Sequence, residues 1–430
     1  MFDLAIIGSG WGGFSAAQEA KRLGFKVALI EKDKIGGTCL NYGCIPTKAL
    51  IQSAKIYSLS KKSAKFGIDI TDSRIDFPEI QKRKTNIIEQ LSRGMQFLLK
   101  DISFFDVEAQ FISTEELTVG NDRIKTKNII IATGSKPIQM PGLSFDGRKV
   151  ISSSDILNLK SLPRSLLIIG GGVIGCEFAS LFSILGVEVT IVELMPQLLP
   201  QEDKEIAKKL ESIFKKKGIK INTNTDAKAI NLDNYDLVLL CVGRIPELGN
   251  LDFKKIGVKT DKNRIVTNEY MNTNIPNIYA AGDCTGGKLL AHFAAHQGAV
   301  AARNIAQSNV ARQIEPHLVP NCIFTDPEIA SVGITEDEAR NRGISLKSSK
   351  FDFLGSGMAR ILEEAEGFIK IISDTKTDAI LGASIIGPKA TELIGIVTVA
   401  IQSHLKLSQL HNTLFAHPTI SESIQEATRY

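Results

Sequence analysis

The chain has 430 residues, of which 43% are hydrophobic and 23% charged, with a formal net charge of +4. That length exceeds one ordinary core and implies roughly two to four domains. The small net charge argues against a nucleic-acid surface, so the run Lys215-Lys216-Lys217 reads as a solvated helix end. No apolar run approaches the roughly 18 residues of a membrane span.

The first predicted strand, Leu4-Ala5-Ile6-Ile7, starts almost at Met1 and leaves no room for a leader, so a cytoplasmic and most simply bacterial protein is expected. It runs into Gly8-Ser9-Gly10-Trp11-Gly12-Gly13, then a helix, then strand Lys26 to Ile30 closing on Glu31. This is a dinucleotide fingerprint. Gly8 makes the tight turn, Gly10 lets a pyrophosphate approach, Gly13 lets helix and strand pack closely, and Glu31, 18 residues past Gly13, meets a ribose hydroxyl.

Next comes Gly36-Gly37-Thr38-Cys39-Leu40-Asn41-Tyr42-Gly43-Cys44-Ile45-Pro46-Thr47-Lys48. A disulfide needs Cα atoms within roughly 7 Å, and an i,i+5 pair on an ideal helix is already about 7.5 Å apart along the axis. If Cys39 and Cys44 bond, they do so on a bent segment at a helix entrance, where Gly43 helps the chain turn. The same position favours a reactive thiolate. The alternative is a pair of inert buried cysteines, but the glycine loops on either side favour the redox reading. Cys176, Cys241, Cys284 and Cys322 lie apart and read as small buried hydrophobes, without the spacing of a zinc site or a secreted disulfide framework.

Phe77, Ile80, Ile87, Ile88, Leu91, Met95 and Leu98 recur at helical spacing and predict a long amphipathic helix whose apolar face is core. A return strand, Asn128 to Ala132, ends in Thr133-Gly134-Ser135-Lys136-Pro137. A second fingerprint follows: strand Ser165 to Ile169, Gly170-Gly171-Gly172-Val173-Ile174-Gly175, a helix, and strand Glu188 to Val192 closing on Glu193, again 18 residues past the last glycine. Leu194, Met195, Pro196 and Gln197 bring no cation to hold a 2′-phosphate, so this site reads as NAD and not NADP. His292 and His296 share a helix face, but no third ligand is nearby and no metal is expected. From Asn321 onward the pattern turns strand-rich, with strands at 322–325, 329–332, 368–372 and 380–386, then two short helices and a histidine-bearing loop.

Taken together, these motifs with Val242-Gly243-Arg244-Ile245-Pro246, Ala280-Ala281-Gly282-Asp283, Phe324-Thr325-Asp326-Pro327-Glu328 and His417-Pro418-Thr419-Ile420-Ser421-Glu422 make the chain similar to the FAD-dependent pyridine nucleotide–disulfide oxidoreductases. Within them it most resembles the dihydrolipoamide dehydrogenases. The resemblance implies an α/β fold with two Rossmann-like domains, FAD-binding over 1–145 and NAD-binding over 146–271. A central segment, 272–316, would complete the FAD site, and 317–430 would form an α+β dimerisation domain.

It further implies that Cys39 is the interchange thiol, Cys44 the thiol against the flavin, and Lys48 a neighbour of the flavin paired with Glu177. His417 would be the acid–base catalyst oriented by Glu422, across a cis His417-Pro418 bond. Gly8, Gly10, Gly13, Glu31, Thr38 and Lys48 would bind FAD, with Asp283 on its ribityl chain and backbone contacts from Ala109 and Ala291. Gly170, Gly172, Gly175, Glu193 and Gly243 would frame NAD.

The implied activity is oxidation of dihydrolipoyl groups through a Cys39–Cys44 disulfide and FAD to NAD+. The implied partners are a second copy of the chain and a dihydrolipoyl carrier or acyltransferase of a 2-oxoacid dehydrogenase complex, or a glycine-cleavage carrier; neither nucleic acid nor a membrane is expected. A glutathione reductase is the nearest rival, but Glu193 disfavours the NADPH it normally uses. A mercuric reductase would carry a C-terminal cysteine pair that this chain lacks, and a redox-inactive flavoprotein would not need the cysteines with His417 and Glu422. Two departures from the family pattern stand out. The stretch from Thr223 to Val238 is too short for a β-meander, which leaves the adenine-side contact near Ala227 open, and Trp11 replaces a smaller residue, with packing over the pyrophosphate as its expected role.

Overall fold

The structure is a computed structural model that describes residues 1–429. Apolar strands flanked by helices build its first sheet, in which Ser103–Asp106, Val27–Glu31, Phe2–Ile7 and Asp122–Ile131 lie side by side and parallel. The long strand Asp122–Ile131 does two jobs. Its last residues pair with Phe2–Ile7 on one side and with Ile278–Ala280 on the other, while its first residues pair antiparallel with Glu116–Val119. A segment more than a hundred residues downstream thus completes the first sheet. The helix Ala291–Ala306 then packs on Trp11–Arg22 so closely that a Cβ on Gly298 would stand 2.0 Å from the Gly12 carbonyl oxygen.

The second sheet is all parallel, in the order Lys220–Asn222, Glu188–Val192, Ser165–Ile169, Leu237–Leu240, Val150–Ile151. In both sheets the strand that feeds the glycine loop is flanked by the next strand on one side and a distant one on the other. Ile7 pairs with Ile30 and Ile131, and Ile169 pairs with Val192 and Leu240. The loops therefore leave at topological switch points, where ligands of open α/β sheets bind. Between Asn222 and Leu237 the second unit has two single 3-10 turns, Ala227–Ala229 and Leu232–Asn234, and no strand, so the shortened segment closes directly.

The third sheet is antiparallel: Asn321–Ile323, Glu328–Gly333, Ile380–Gly387, Phe368–Asp374 and Leu346–Asp352, covered by the helix Ala390–Gln402. The outer strand Leu346–Asp352 was not expected, because Ser348, Lys350 and Asp352 give it a polar face. Such charges are what keep an edge strand from pairing with other chains.

The amphipathic helix forms over Phe77–Leu98 as its periodicity predicts, but its apolar face is only partly core. Phe77 and Met95 are buried, whereas Leu91 and Leu98 on the same stripe are 44% and 50% exposed. No helix among the described residues is long and apolar enough to cross a membrane.

One buried cation stitches the second unit to the third sheet. Lys370 is 3% exposed in strand Phe368–Asp374, and its ammonium lies 2.9 Å from Asp203, 2.8 Å from Glu205 and 2.8 Å from Glu336. Burial opposes its charge, and the three carboxylates outweigh burial and raise its pKa. Removing one partner of a buried charge cluster leaves the others uncompensated, at about 3 kcal/mol or more. Lys370→Met is expected to lose about 3 kcal/mol, read as a lowered urea midpoint. An unchanged midpoint would show that the three acids are solvated without it.

Candidate functional site

The cysteine segment is shaped by glycine. The chain passes through positive φ at Gly36 (+87°) and Gly37 (+55°), forms the short helix Gly37–Tyr42, breaks at Gly43 and restarts as the helix Cys44–Lys61. Asn41 fastens the turn by donating to the carbonyls of Ile35 (2.9 Å) and Gly37 (3.0 Å). A Cβ on Gly37 would lie 2.9 Å from the Gly10 Cα, so the segment rests directly on the first glycine loop. Cys44 opens its helix, as the bent-segment reading anticipated.

Both cysteines are free thiols, and each sulfur shifts the pKa of the other. The pair is asymmetric. The hydrogen bond from Cys39 lowers Cys44 to about 7, against burial, with help from the Lys48 ammonium. Cys39 is driven upward by that hydrogen bond, by burial and by the charge on Cys44, and is eased down by Trp11 and Lys48. One proton shared this way leaves Cys44 as the thiolate near neutrality.

Lys48, one turn along the same helix, donates to both oxygens of Glu177 (2.9 and 2.8 Å). Glu177 is 4% exposed in the helix Val173–Ile184 and also accepts the Phe324 backbone N–H at 2.9 Å. The Lys48 ammonium stands 4.7 Å from the centre of the Phe324 ring. The first unit, the second unit and the third sheet meet at this one carboxylate.

A cavity of about 1850 Å³ runs from the first glycine loop past the thiols to the second loop. Gly10, Thr38, Cys39, Cys44, Lys48, Asp283 and Ala291 line one part, and Gly170, Gly172, Glu177, Glu193 and Gly243 the other. The loops fit dinucleotides by their own geometry. A Cβ on Gly13 would stand 1.8 Å from the Gly8 oxygen, and one on Gly175 would stand 1.9 Å from the Gly170 oxygen, while positions 10 and 172 face open space where a phosphate could approach. Glu31 accepts from the Ser9 N–H (2.7 Å) and hydroxyl (2.8 Å), and Glu193 from the N–H groups of Gly171 (2.6 Å) and Met195 (2.7 Å). Each keeps lone pairs for ribose hydroxyls.

Other expected residues lie elsewhere. Glu31 is buried behind the first loop, and Ala109 is buried in strand Ala109–Phe111; neither is among the residues that wall the cavity. His417 and Glu422 are not on its wall either. The His417 Nδ1 bonds Glu422 at 2.8 Å, beside a cis His417-Pro418 bond, with the imidazole 78% exposed. His292 bonds the Pro320 carbonyl (2.9 Å) and His296 accepts from the Ile314 N–H (3.0 Å).

The sequence reading missed a relay beneath the thiols. Arg244 donates from Nε to the Ser135 hydroxyl (2.9 Å) and from Nη2 to the Ser135 carbonyl (2.5 Å), and the Ser135 hydroxyl donates to Asp283 (2.5 Å). Burial raises the Asp283 carboxyl and lowers the Arg244 guanidinium, and each partly restores the other's charge. All three motifs are legible in the sequence, but nothing in any of them indicates that they touch.

Residues 2–298 match the pyridine nucleotide-disulphide oxidoreductase family and 319–428 match its dimerisation domain. The chain is 41% identical to the dihydrolipoyl dehydrogenase of Chlamydia muridarum, over 98% of this chain and 95% of the relative. It is 38% identical to a dihydrolipoyl dehydrogenase of Bacillus subtilis, over 99% and 97%. Among solved structures it is similar to the HOCl-induced flavoprotein disulfide reductase RclA of Escherichia coli, with a TM-score of 0.88, 30% identity and 99% of both chains covered. LpdA of Mycobacterium tuberculosis gives a TM-score of 0.91 at 26% identity, over 99% of this chain and 98% of that one.

The thiol asymmetry predicts a titration. In reduced, cofactor-stripped protein, ultraviolet thiolate absorbance for one thiol is expected to rise with pH through about 7, and Cys44→Ser should remove that step. A first midpoint at the unperturbed value of 9.0 would show that the two sulfurs do not share a proton.

Proposed function

Because the chain belongs to the pyridine nucleotide-disulphide oxidoreductase family, we propose that it is a dihydrolipoyl dehydrogenase, oxidising dihydrolipoyl groups and reducing NAD+ with FAD as its resident cofactor. The observation that carries this reading is the single cavity in which a thiol pair lies between two dinucleotide loops. Residues 1–145 with 272–316 hold FAD, 146–271 hold NAD, and 317–430 form the interface between two copies. Gly10, Thr38, Lys48, Asp283 and Ala291 are the residues that hold FAD. Bound there, the flavin supplies a two-electron acceptor for the dithiol and a hydride donor for NAD+.

The chain's own part is thiol and proton chemistry. The substrate thiolate attacks Cys39, the Cys39–Cys44 bond breaks, and Cys44 leaves with the electron pair as the thiolate that Lys48 and the Cys39 hydrogen bond favour. The second substrate thiolate then attacks the substrate sulfur of the mixed disulfide and expels Cys39. His417 takes the substrate's proton. With Nδ1 donating to Glu422, the neutral ring presents an unprotonated Nε2, and the carboxylate stabilises the imidazolium that forms. That imidazole stands away from its own chain's cavity, which supports a site built with the partner's copy of the same loop. The physiological donor is then a lipoyl-bearing carrier or acyltransferase of a 2-oxoacid dehydrogenase or glycine-cleavage system, met in the cytoplasm.

Steady-state assay with dihydrolipoamide and NAD+ tests the activity, and absence of turnover in FAD-loaded protein would overturn it. Glu193 should repel a 2′-phosphate, so NAD+ is expected to exceed NADP+ by at least about tenfold in kcat/KM, about 1.4 kcal/mol. Equal efficiency would remove that role from Glu193. Mixing Cys44→Ser with His417→Gln subunits should restore activity, because one site of each heterodimer is then intact. Flat activity despite demonstrated exchange would place His417 outside the reaction of the neighbouring subunit.

A further inference from the structure

Arg244 belongs to the second unit by its place in the chain, yet its side chain bonds only to the first. The backbone leaves the second sheet at Leu240, turns through Gly243 and pairs Arg244–Pro246 antiparallel with Ser135–Pro137. Arg244 stands opposite Pro137, so its side chain shares one face of this ribbon with Ser135. There Nε donates to the Ser135 hydroxyl at 2.9 Å and Nη2 to the Ser135 carbonyl at 2.5 Å, while Nη2 approaches the Thr38 hydroxyl at 3.5 Å.

A guanidinium only donates, and a hydroxyl carries one proton. Because the Ser135 hydroxyl accepts from Arg244, its proton is left for Asp283, whose Oδ2 it reaches at 2.5 Å. The chain of donors therefore runs one way, from the cation to the carboxylate. Asp283 opens the 3-10 turn Asp283–Thr285, and its other oxygen, Oδ1, has no hydrogen-bond partner among the described residues. Thr38, Ser135, Arg244 and Asp283 all line the cavity.

We propose that Arg244 is a positioning residue of the FAD site lent by the other unit: through Ser135 it pins Oδ2 of Asp283 and leaves Oδ1 as the fixed acceptor for a ribityl hydroxyl. This rests on the reading above in which Asp283 holds FAD. The relay also works on charge. Burial raises the Asp283 carboxyl, and the Ser135 hydrogen bond and the Arg244 charge pull it back down. Few other groups compete for that carboxyl. Cys284, on the same turn, is held up at about 11 and is neutral where a carboxyl titrates. Arg264, whose side chain lies against Gly286 just past that turn, is 3.3 Å from Asp261. From the helix Ala291–Ala306, the neutral Gln297 binds the Gly282 N–H, while His292 and His296 are engaged with Pro320 and Ile314. Cys44 acts on Arg244 and strengthens its charge.

A carboxylate accepts a hydrogen bond more strongly than the neutral acid does. FAD should therefore be held less firmly as pH falls through the Asp283 titration. Removing Arg244 or Ser135 takes away a force that lowers this titration, so the loss of FAD should begin at a higher pH.

The test uses FAD-loaded protein, diluted and filtered over a range of pH, with flavin in the filtrate measuring release. Arg244→Met loses the charge and the donors, Ser135→Ala breaks the relay and keeps the cation, and Arg244→Lys keeps a cation in reach of Ser135. Arg244→Met and Ser135→Ala are expected to release FAD about fivefold faster or more at mildly acidic pH, the order of one net hydrogen bond, with the acid step moved to higher pH. Arg244→Lys should recover most of that shift, and Asp283→Asn, which has no carboxyl to titrate, should lose the step. Release from Arg244→Met that is faster by one factor at every pH would assign Arg244 to packing and overturn the proposal. So would an Arg244→Met protein that keeps FAD as the parent does. Parent protein that takes up no FAD would overturn the reading of the cavity itself, and the proposal with it, before any variant is compared.

Discussion

The ion pair between Lys48 and Glu177 is the constraint around which the site is arranged. A carboxylate that is 4% exposed is costly to desolvate, and it persists because Lys48 bonds both of its oxygens and the Phe324 N–H bonds one of them. The three donors and acceptors come from three different parts of the chain. Satisfying one buried charge therefore fixes how the cysteine helix, the second unit and the third sheet sit together. Asp326, two residues on, is tied to the second unit as well, through the Ser180 hydroxyl (3.0 Å) and Lys217 (2.6 Å). The cation–π contact of Lys48 with the Phe324 ring holds the ammonium from a second direction, so it stays near the thiols and does not snorkel to solvent.

From that fixed ammonium the asymmetry of the dithiol follows. Both sulfurs feel the charge, but Cys44 also sits at the N-terminus of an 18-residue helix and receives the hydrogen bond from its neighbour. Cys39 lies in a separate six-residue helix beyond the Gly43 break and receives less. A Cβ at position 43 would press the Thr38 carbonyl at 3.2 Å. The glycine thus sets the offset between the two helices, and the offset decides which sulfur is charged.

The sequence made the local features legible and left out those that depend on distance along the chain. Both glycine loops, their closing acids, and the bend between Cys39 and Cys44 could be read because each is set by neighbours within about thirty residues, where turn chemistry and periodicity act. The relay from Arg244 through Ser135 to Asp283 could not, because it spans 148 residues from Ser135 to Asp283 and pairs two strands of three residues each. Periodicity identified the helix Phe77–Leu98 but overstated its burial, because spacing alone does not tell which apolar positions of a stripe meet the core: Met95 does, and Leu91 and Leu98 do not. The edge strand Leu346–Asp352 was hidden for the opposite reason, since the charges that protect an edge erase the alternation that would reveal it.

The two glycine loops show how one solution was used twice. Gly8 and Gly170 turn at φ +105° and +110°, and the strand-closing acids Glu31 and Glu193 each accept the N–H of the following residue, Ser9 and Gly171, at 2.7 and 2.6 Å. The acid is therefore a strut of the loop as well as a ribose acceptor, and its second oxygen is held by the N–H of Asp33 or Met195. Cofactor choice and loop shape are coupled through a single side chain. Replacing either acid to admit a 2′-phosphate would also release two backbone donors, so a change of specificity cannot be made at that residue alone. New acceptors for the freed N–H groups would have to accompany any cation brought in for the phosphate.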